Sequence, residues 1–209
     1  MSNAILSKSK FIHIPKCGGT AIQSALWRIG CIKDKSQAFT EPHYGHLYAS
    51  QMPVDDRINF AFVRNPIAWW HSWYWWNKNQ TSSRFGEHEL KTKSFDQWID
   101  KYGQFWLGMF TTQVKRYLGE DENFPTTNKV TLIGKSENLY SDLKNILNKI
   151  GEPYNEYTLD MHIHQKISLQ SDHVNIQTYN REDISIESRK IIYQTESEIF
   201  NRFDYDIAQ

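Results

Sequence analysis

The sequence predicts an α/β fold in which a mainly parallel central sheet is flanked by helices. Two short apolar stretches, near residues 10–14 and 59–63, each lead into a polar turn and then a helical pattern. A third apolar stretch, near 129–134, precedes an amphipathic helix. Strands that alternate with helices along the chain favour parallel pairing. A chain of 209 residues can bury a sizeable core, so we expect residues 1–209 to form a single domain.

The first half of the chain predicts two strand–helix units separated by a loop. A helix over about 20–28 follows the first strand, and residues 30–57 are polar without periodicity, as is typical of loop with a little helix. After the second strand, Pro66 suits the first turn of a helix, where no N–H group is needed. We therefore expect this helix to begin at the polar turn and to contain the Trp-rich stretch Trp69–Trp76.

The second half predicts a loop, one strand and several helices. The polar stretch over 81–93 favours a loop, and Ser94 can cap the helix that follows. Apolar residues recur at helical spacing up to Ile150, and Gly151 is typical of a helix end. The predicted elements are helices over about 94–102, 111–118, 139–150 and 184–200 and a strand over about 129–134.

Composition excludes several classes of partner. Lysine plus arginine and aspartate plus glutamate number 24 each, and this zero net charge gives no field that would attract nucleic acid. Two cysteines, Cys17 and Cys31, are too few for a disulfide framework. The chain has no apolar run of the ~18 residues that would span a bilayer, and no signal peptide. We therefore expect a cytoplasmic protein without a membrane span.

The stretch Phe11–Thr20 has the pattern of an anion-binding loop. An apolar strand leads into a basic Gly-Gly turn and then a helix, so backbone N–H groups and the helix N-terminus can surround a phosphate or sulfate. The two glycines allow the backbone to approach an anion closely, and Lys16 adds a mobile positive charge. The residues of the predicted loop and of the helix start are Lys16, Cys17, Gly18, Gly19, Thr20 and Ala21.

A second polar turn follows the next strand. Arg64 lies at the end of that strand, and Ser72 lies eight residues later, about two turns into the following helix. The planar fork of an arginine suits a terminal phosphate, and a serine hydroxyl can add a hydrogen bond. Two anion sites at the carboxyl ends of two strands indicate a nucleotide with phosphates at both ends of its ribose.

Both motifs resemble those of sulfotransferases that use 3′-phosphoadenosine 5′-phosphosulfate (PAPS). Pro15–Thr20 is similar to the loop that binds the 5′-phosphosulfate in that family, and Arg64 with Ser72 is similar to its 3′-phosphate motif. The similarity covers residues 10 to about 150. The chain is more similar to the branch of carbohydrate and bacterial sulfotransferases than to the cytosolic steroid and phenol type.

This resemblance implies a fold, an activity and its reactants. We expect a P-loop-like three-layer fold and a PAPS-dependent enzyme that transfers a sulfuryl group to a hydroxyl acceptor, with a carbohydrate favoured by the branch. The product would be adenosine 3′,5′-bisphosphate (PAP), and no metal ion is required. Arg116 partly matches the family's basic pattern in the segment Gln113–Gly119, and is a further candidate for the nucleotide site.

Sulfuryl transfer requires a cation at the leaving oxygen and a base for the acceptor proton. Lys16 is the candidate for the leaving-group side. His46 is the first choice for the base, because Gly45-His46 resembles a family segment and imidazole titrates near neutral pH. His43 is the alternative, and a surface role for His46 stays open. His162 and His164 alternate as strand residues do and could approach the acceptor.

The Trp-rich helix cannot turn all of its indoles toward one core. Trp69, Trp73 and Trp76 share one face by helical spacing, and we expect them to pack in the core. Trp70 and Trp75 lie off that face, so we expect them to be exposed. Clustered exposed indoles usually contact a partner surface. That partner is either a second copy of the chain in a homo-oligomer or the acceptor.

Two other functions are compatible with the same motifs. One is a P-loop nucleotide kinase, although the Walker A pattern is absent because Lys16 precedes its glycines. The other is a non-catalytic nucleotide-binding module that keeps the loop and lacks the base. A structural protein that oligomerises through the tryptophans is a third alternative.

Overall fold

The computed structural model describes residues 3–33, 46–79, 93–103, 105–106, 108–165 and 184–207. Within these ranges four strands form one open sheet in the order β1-β2-β3-β4. β1 pairs antiparallel with β2, whereas β2, β3 and β4 run parallel. The α/β class with a mainly parallel sheet flanked by helices is therefore confirmed. The strands are β1 Ala4–Ile5, β2 Ser9–Ile12, β3 Ile58–Val63 and β4 Val130–Lys135.

The helices in the described ranges follow the predicted order with two additions. α6 is not among the predicted helices, and the last predicted helix is divided into α7 and α8. The helices are α1 Gly19–Arg28, α2 Pro66–Lys78, α3 Phe95–Tyr102, α4 Met109–Leu118, α5 Leu139–Ile150, α6 Glu156–Gln165, α7 Ile186–Thr195 and α8 Ser197–Arg202. None of them has the length and apolar character that a bilayer crossing requires.

The chain clusters into two compact units. The sheet unit comprises residues 1–64 and 113–175, and the helical unit comprises residues 65–112 and 176–209. The prediction of a single domain stays a prediction. The sheet unit holds all four described strands together with α1, α5 and α6.

Strand register brings the carboxyl ends of three strands to one edge of the sheet. Ile12 pairs with Ala61, and Val63 pairs with Lys135 after a register shift between Asn59 and Phe60. β2 ends at Ile12, two residues before the predicted end, because the His13 N–H donates to the side chain of Asn3. The segments after β2, β3 and β4 therefore all begin at this carboxyl edge.

The core of the sheet unit is built from one apolar face of each of its main helices. Leu26 of α1 and Leu143 of α5 are fully buried with Phe60 and Phe62 of β3. α5 ends where predicted, because Gly151 has the left-handed φ of +71° that terminates helices.

Two charged side chains are buried in the sheet unit and have structural partners. Lys10 is fully buried, and its Nζ donates to the Pro53 carbonyl at 2.7 Å and to Asp55 Oδ1 at 3.0 Å. Glu152 accepts from the Lys8 N–H at 2.9 Å. Because burial of an unpaired charge is costly, these contacts explain why the charges are tolerated.

The helical unit is organised around a buried carboxylate. Glu196, between α7 and α8, accepts from Trp70 Nε1 at 3.0 Å and from the Phe110 N–H at 3.1 Å. It also accepts from the Thr111 N–H at 2.8 Å and the Thr111 hydroxyl at 2.7 Å. Burial nevertheless raises the pKa of Glu196. The carboxylate thereby caps the start of α4. The predicted helix over 184–200 is interrupted at Glu196, where φ is −115°.

The predicted division of the tryptophans is wrong at two positions. Trp70, expected to be exposed, is 1% exposed because Glu196 supplies a buried partner for its indole N–H. Trp76, expected in the core, is 42% exposed. Trp69 is fully buried and stacks on Phe110, as expected for a core residue. The prediction of an interface or acceptor surface that includes Trp70 is therefore not supported.

The pattern around His162 and His164 is also different from the one predicted. Their alternation suggests a strand, but both residues lie in α6. Two-residue spacing over so short a stretch cannot distinguish a strand from a helix.

Candidate functional site

The loop between β2 and α1 has an unusual backbone at its centre. Lys16 has φ +66° and Gly18 has φ +79°, both in the left-handed region. This conformation is uncommon for a residue with a side chain, and such positions cluster at ligand sites. Gly18 is the N-cap of α1 and carries no side chain that could cap the helix. The first N–H groups of α1, from Gly19 to Ala21, are therefore available to an anion.

Gly19 is required by close packing. A Cβ atom at this position would lie 1.9 Å from His13 Nε2, which is too close for any real contact. The His13 ring also stacks on Phe11 with ring centroids 5.9 Å apart and is almost fully buried. The imidazole of His13 therefore fills the space where a side chain of residue 19 would lie, and only glycine leaves room for it.

Ser136 connects the loop to the neighbouring strand. Its hydroxyl lies 2.9 Å from the Cys17 carbonyl and 2.9 Å from the Val63 carbonyl. Ser136 directly follows β4, so all three parallel strands contribute to this edge. Ser136 is not among the predicted site residues. The only available signal was a polar residue after a predicted strand, which is the same signal that points to Arg64.

Lys16 and Arg64 converge at the carboxyl edge. Arg64 Nη1 donates to the Lys16 carbonyl at 3.2 Å. Burial, followed by the positive charge of Arg64, lowers the pKa of Lys16 to about 8. The side chains of Lys16 and Arg64, which follow adjacent strands, therefore place two positive charges in one region of the sheet unit. A dianion bound in this region would attract both positive charges.

Cys17 contributes to the loop through its backbone. The side chain is 1% exposed, and burial raises the pKa of the thiol far above its ordinary value. The thiol therefore stays protonated and is a poor nucleophile. The described geometry gives Cys17 no chemical role beyond that of its carbonyl and N–H groups.

His46 lies beside the loop and is half-buried. Its ring meets the His13 ring edge-on, with centroids 4.5 Å apart. Burial lowers the pKa of His46, so the imidazole is neutral at pH 7. A neutral imidazole next to the predicted anion-binding loop can accept a proton. His43, the alternative base, lies outside the described residues.

Arg116 and Ser72, the remaining residues predicted to bind the nucleotide, have other contacts or belong to the other unit. Arg116 pairs with Asp121 through Nε at 2.8 Å, and its guanidinium lies 5.0 Å from the centre of the Phe124 ring. The ion pair raises the pKa of Arg116. Ser72 belongs to α2 in the helical unit and is half-buried. The roles of Arg116 and Ser72 in nucleotide binding stay predictions.

Comparisons with protein-family models, with curated proteins and with solved structures gave no match. In the part of the chain that the structure describes, no group of three or more His, Cys, Asp or Glu residues is arranged to hold a metal ion. The candidate groups for chemistry in the described residues are the loop, Arg64 and His46.

Proposed function

We propose that this protein is a sulfotransferase that moves a sulfuryl group from PAPS to a hydroxyl group of an acceptor. The convergence of Lys16 and Arg64 at the carboxyl edge, next to the start of α1, is the observation that supports this function. The proposal includes a P-loop-like three-layer architecture and metal-independent chemistry. The resemblance of the loop to the carbohydrate branch favours a carbohydrate as the acceptor class.

Each residue has one role in the proposed reaction. The acceptor oxygen attacks sulfur, and the bond from sulfur to the bridging phosphate oxygen breaks with its electron pair on that oxygen. Lys16 neutralises the leaving oxygen, and the N–H groups of Gly19 to Ala21 bind the sulfuryl oxygens. His46 accepts the proton that the hydroxyl loses. Arg64 binds the 3′-phosphate.

A binding experiment tests the nucleotide assignment. Calorimetry with PAP, AMP and ATP–Mg²⁺ should give the tightest binding for PAP, because only PAP has phosphates at both ends of the ribose. Arg64→Ala should weaken PAP binding by about 1.5–3 kcal/mol, the loss of a hydrogen bond to a charged group. Arg57→Ala is the matched control, since Arg57 precedes β3 at the opposite edge and pairs with Asp55. Equal affinities for PAP and AMP would contradict the proposal.

A transfer experiment separates catalysis from binding. With labelled PAPS and a panel of hydroxyl acceptors, Lys16→Ala should lower turnover by about 10²–10³ and weaken PAP binding much less. His46→Ala should retain PAP affinity and lose turnover. Full activity of His46→Ala would assign the base to His43. Tight PAP binding without transfer by the unmodified protein would indicate the non-catalytic module, and phosphoryl transfer from ATP–Mg²⁺ would indicate the kinase.

A further inference from the structure

The turn that carries Lys16 has a backbone conformation that lysine does not favour. The Cys17 N–H donates to the Ile14 carbonyl at 3.2 Å and closes a turn over residues 14–17. Pro15 and Lys16 lie at its centre, and Lys16 has φ +66°. Proline followed by a left-handed residue is the pattern of a type II turn, in which glycine or asparagine is the usual left-handed residue. The Cβ atom of a lysine opposes this conformation, so other contacts must hold the turn.

One peptide unit of this turn is held at both of its ends. Arg64 Nη1 donates to the Lys16 carbonyl at 3.2 Å. The N–H group of the same peptide unit is that of Cys17, which donates to Ile14. Because the carbonyl and the N–H of a trans peptide are fixed in one plane and point in opposite directions, the two bonds together set the orientation of that plane. Arg64 therefore acts directly on the backbone between Lys16 and Cys17.

The next carbonyl along the loop has a donor that it shares. The Ser136 hydroxyl lies 2.9 Å from the Cys17 carbonyl and 2.9 Å from the Val63 carbonyl, and it has a single hydrogen to donate. A guanidinium has five N–H donors, and the bond from Arg64 to the Lys16 carbonyl uses one of them. Holding the turn therefore does not exclude a contact between Arg64 and a phosphate.

We propose that Arg64 is a positioning residue of the anion-binding loop, which it holds in the left-handed conformation at Lys16 through the carbonyl of that residue. The loop then depends on Arg64 even when the ligand has no 3′-phosphate. Without Arg64 the turn populates other conformations, and the apparent affinity for a 5′-phosphate falls with the fraction of molecules that keep the binding conformation. The inference rests on the proposed function for the identity of the nucleotide, whereas the hold of Arg64 on the turn does not depend on it.

Amide hydrogen exchange of the ligand-free protein measures the turn directly. The chain has two cysteines, so labelling with nitrogen-15 cysteine gives two amide signals, and the loss of one signal in Cys31→Ala assigns both. The Cys17 N–H reports opening of the turn. The Cys31 N–H donates to the Leu26 carbonyl at 2.9 Å at the end of α1, and it is the reference for unfolding of the same unit. The measured quantity is the exchange rate of Cys17 divided by that of Cys31.

Arg64→Ala should raise this exchange ratio by about 10–100-fold, the effect expected for the loss of a hydrogen bond from a charged group. Removal of the positive charge alone would slow exchange catalysed by hydroxide, so faster exchange must come from opening of the turn. Arg64→Met keeps the apolar stem of the side chain and removes its donors, so it should give the same result even if Arg64→Ala does not fold. An unchanged ratio in Arg64→Met would overturn the inference.

Two further variants show whether the effect is specific to the turn. Arg57→Ala is the matched control, because Arg57 also donates to a backbone carbonyl, that of Ser7 at 3.4 Å, and precedes β3 at the opposite edge of the sheet. It should leave the exchange ratio unchanged. Adding Lys16→Gly to Arg64→Met should slow the exchange of Cys17 again, since glycine adopts the left-handed conformation without a Cβ penalty. No such rescue would mean that Arg64 does not act through the conformation of Lys16.

Calorimetry with AMP connects the turn to binding. AMP has a 5′-phosphate and no 3′-phosphate, so a residue that only binds the 3′-phosphate would leave its affinity unchanged. Arg64→Met should weaken AMP binding by about tenfold or more, and Arg57→Ala should not. Unchanged AMP affinity in Arg64→Met would overturn the inference. Weaker AMP binding with an unchanged exchange ratio would also overturn it, because Arg64 would then act on the phosphate through its charge alone.

The two proposals fail in different ways. If neither PAP nor AMP binds and no sulfate is transferred, the sulfotransferase proposal is wrong, while the exchange ratio still decides whether Arg64 holds the turn. If PAP binds and Arg64→Met leaves the exchange ratio unchanged, only the positioning role is wrong.

Discussion

Lys16 provides a pH-dependent signature of anion binding. Burial and the charge of Arg64 lower its pKa to about 8, from an ordinary value of 10.5. A dianion bound beside Lys16 favours the ammonium form and raises this pKa again. Binding of PAP near pH 8 is therefore expected to draw a proton from the buffer onto Lys16.

The number of protons follows from the titration curve. At about pH 8 roughly half of the Lys16 side chains are protonated before binding, so full protonation in the complex takes up ~0.5 proton per site. At about pH 6.5 nearly all are already protonated, and the uptake falls to almost zero. Near pH 8 the described groups His46, Cys17 and Tyr117 contribute little, because burial lowers the pKa of His46 and raises those of Cys17 and Tyr117. A phosphate with a second pKa of about 6 is already a dianion at about pH 8.

Calorimetry measures this uptake directly. The apparent enthalpy of PAP binding at about pH 8 is compared in two buffers of different ionisation enthalpy, and the slope gives the number of protons. Lys16→Arg is the control, since a guanidinium stays charged at this pH and should take up none. No uptake by the wild type, or the same uptake by Lys16→Arg, would refute the assignment of Lys16 to the anion site.

Three substitutions test the packing around the site and in the helical unit. Gly19→Ala should lower the free energy of unfolding by about 1–3 kcal/mol in urea titrations, because its Cβ would displace His13; wild-type stability would disprove the close packing. Ser136→Ala should lower the free energy of unfolding by about 0.5–1.5 kcal/mol and weaken PAP binding in calorimetry. An unchanged PAP affinity would argue against a role of Ser136 in holding the loop for the nucleotide. Trp70→Phe keeps an aromatic side chain, but a smaller one without the indole N–H that donates to Glu196, and thermal unfolding should show a loss of about 1–3 kcal/mol; no loss would mean that this buried bond is not needed.

The elements of the fold that local signals determine could be predicted from the sequence. Pro66 occupies the first turn of α2, as predicted, and Ser94 caps α3 by accepting from the Gln97 N–H. Gly151 ends α5. These signals depend on the conformation of a few adjacent residues, so they are readable without knowledge of the tertiary structure.

Contacts between distant parts of the chain could not be predicted in the same way. Helical periodicity identifies the faces of α2, but it does not reveal that Glu196, 126 residues away, provides a buried partner for Trp70. Ser136 contacts Cys17 across 119 positions of sequence, and Asn3 contacts Leu47 across 44. The contacts of Ser136 and Asn3 depend on how the strands pair, and strand pairing is not visible in a single sequence.

Because Lys16 and Arg64 lie close together, the stability of the ligand-free protein and its affinity for PAP should change with pH in opposite directions. Because the folded-state pKa of Lys16 is below its unfolded value of 10.5, the unfolded chain binds more protons between about pH 8 and 10.5. The stability of the free protein should therefore increase with pH over this range, as a penalty that is fully present below about pH 8 is removed. Over the same range PAP affinity should decrease, by less than about tenfold per pH unit, because the ammonium form binds PAP more tightly than the neutral amine does. A lysine with a purely structural role would give the first trend without the second, so the two opposite slopes together identify an anion site that is destabilising until its ligand binds.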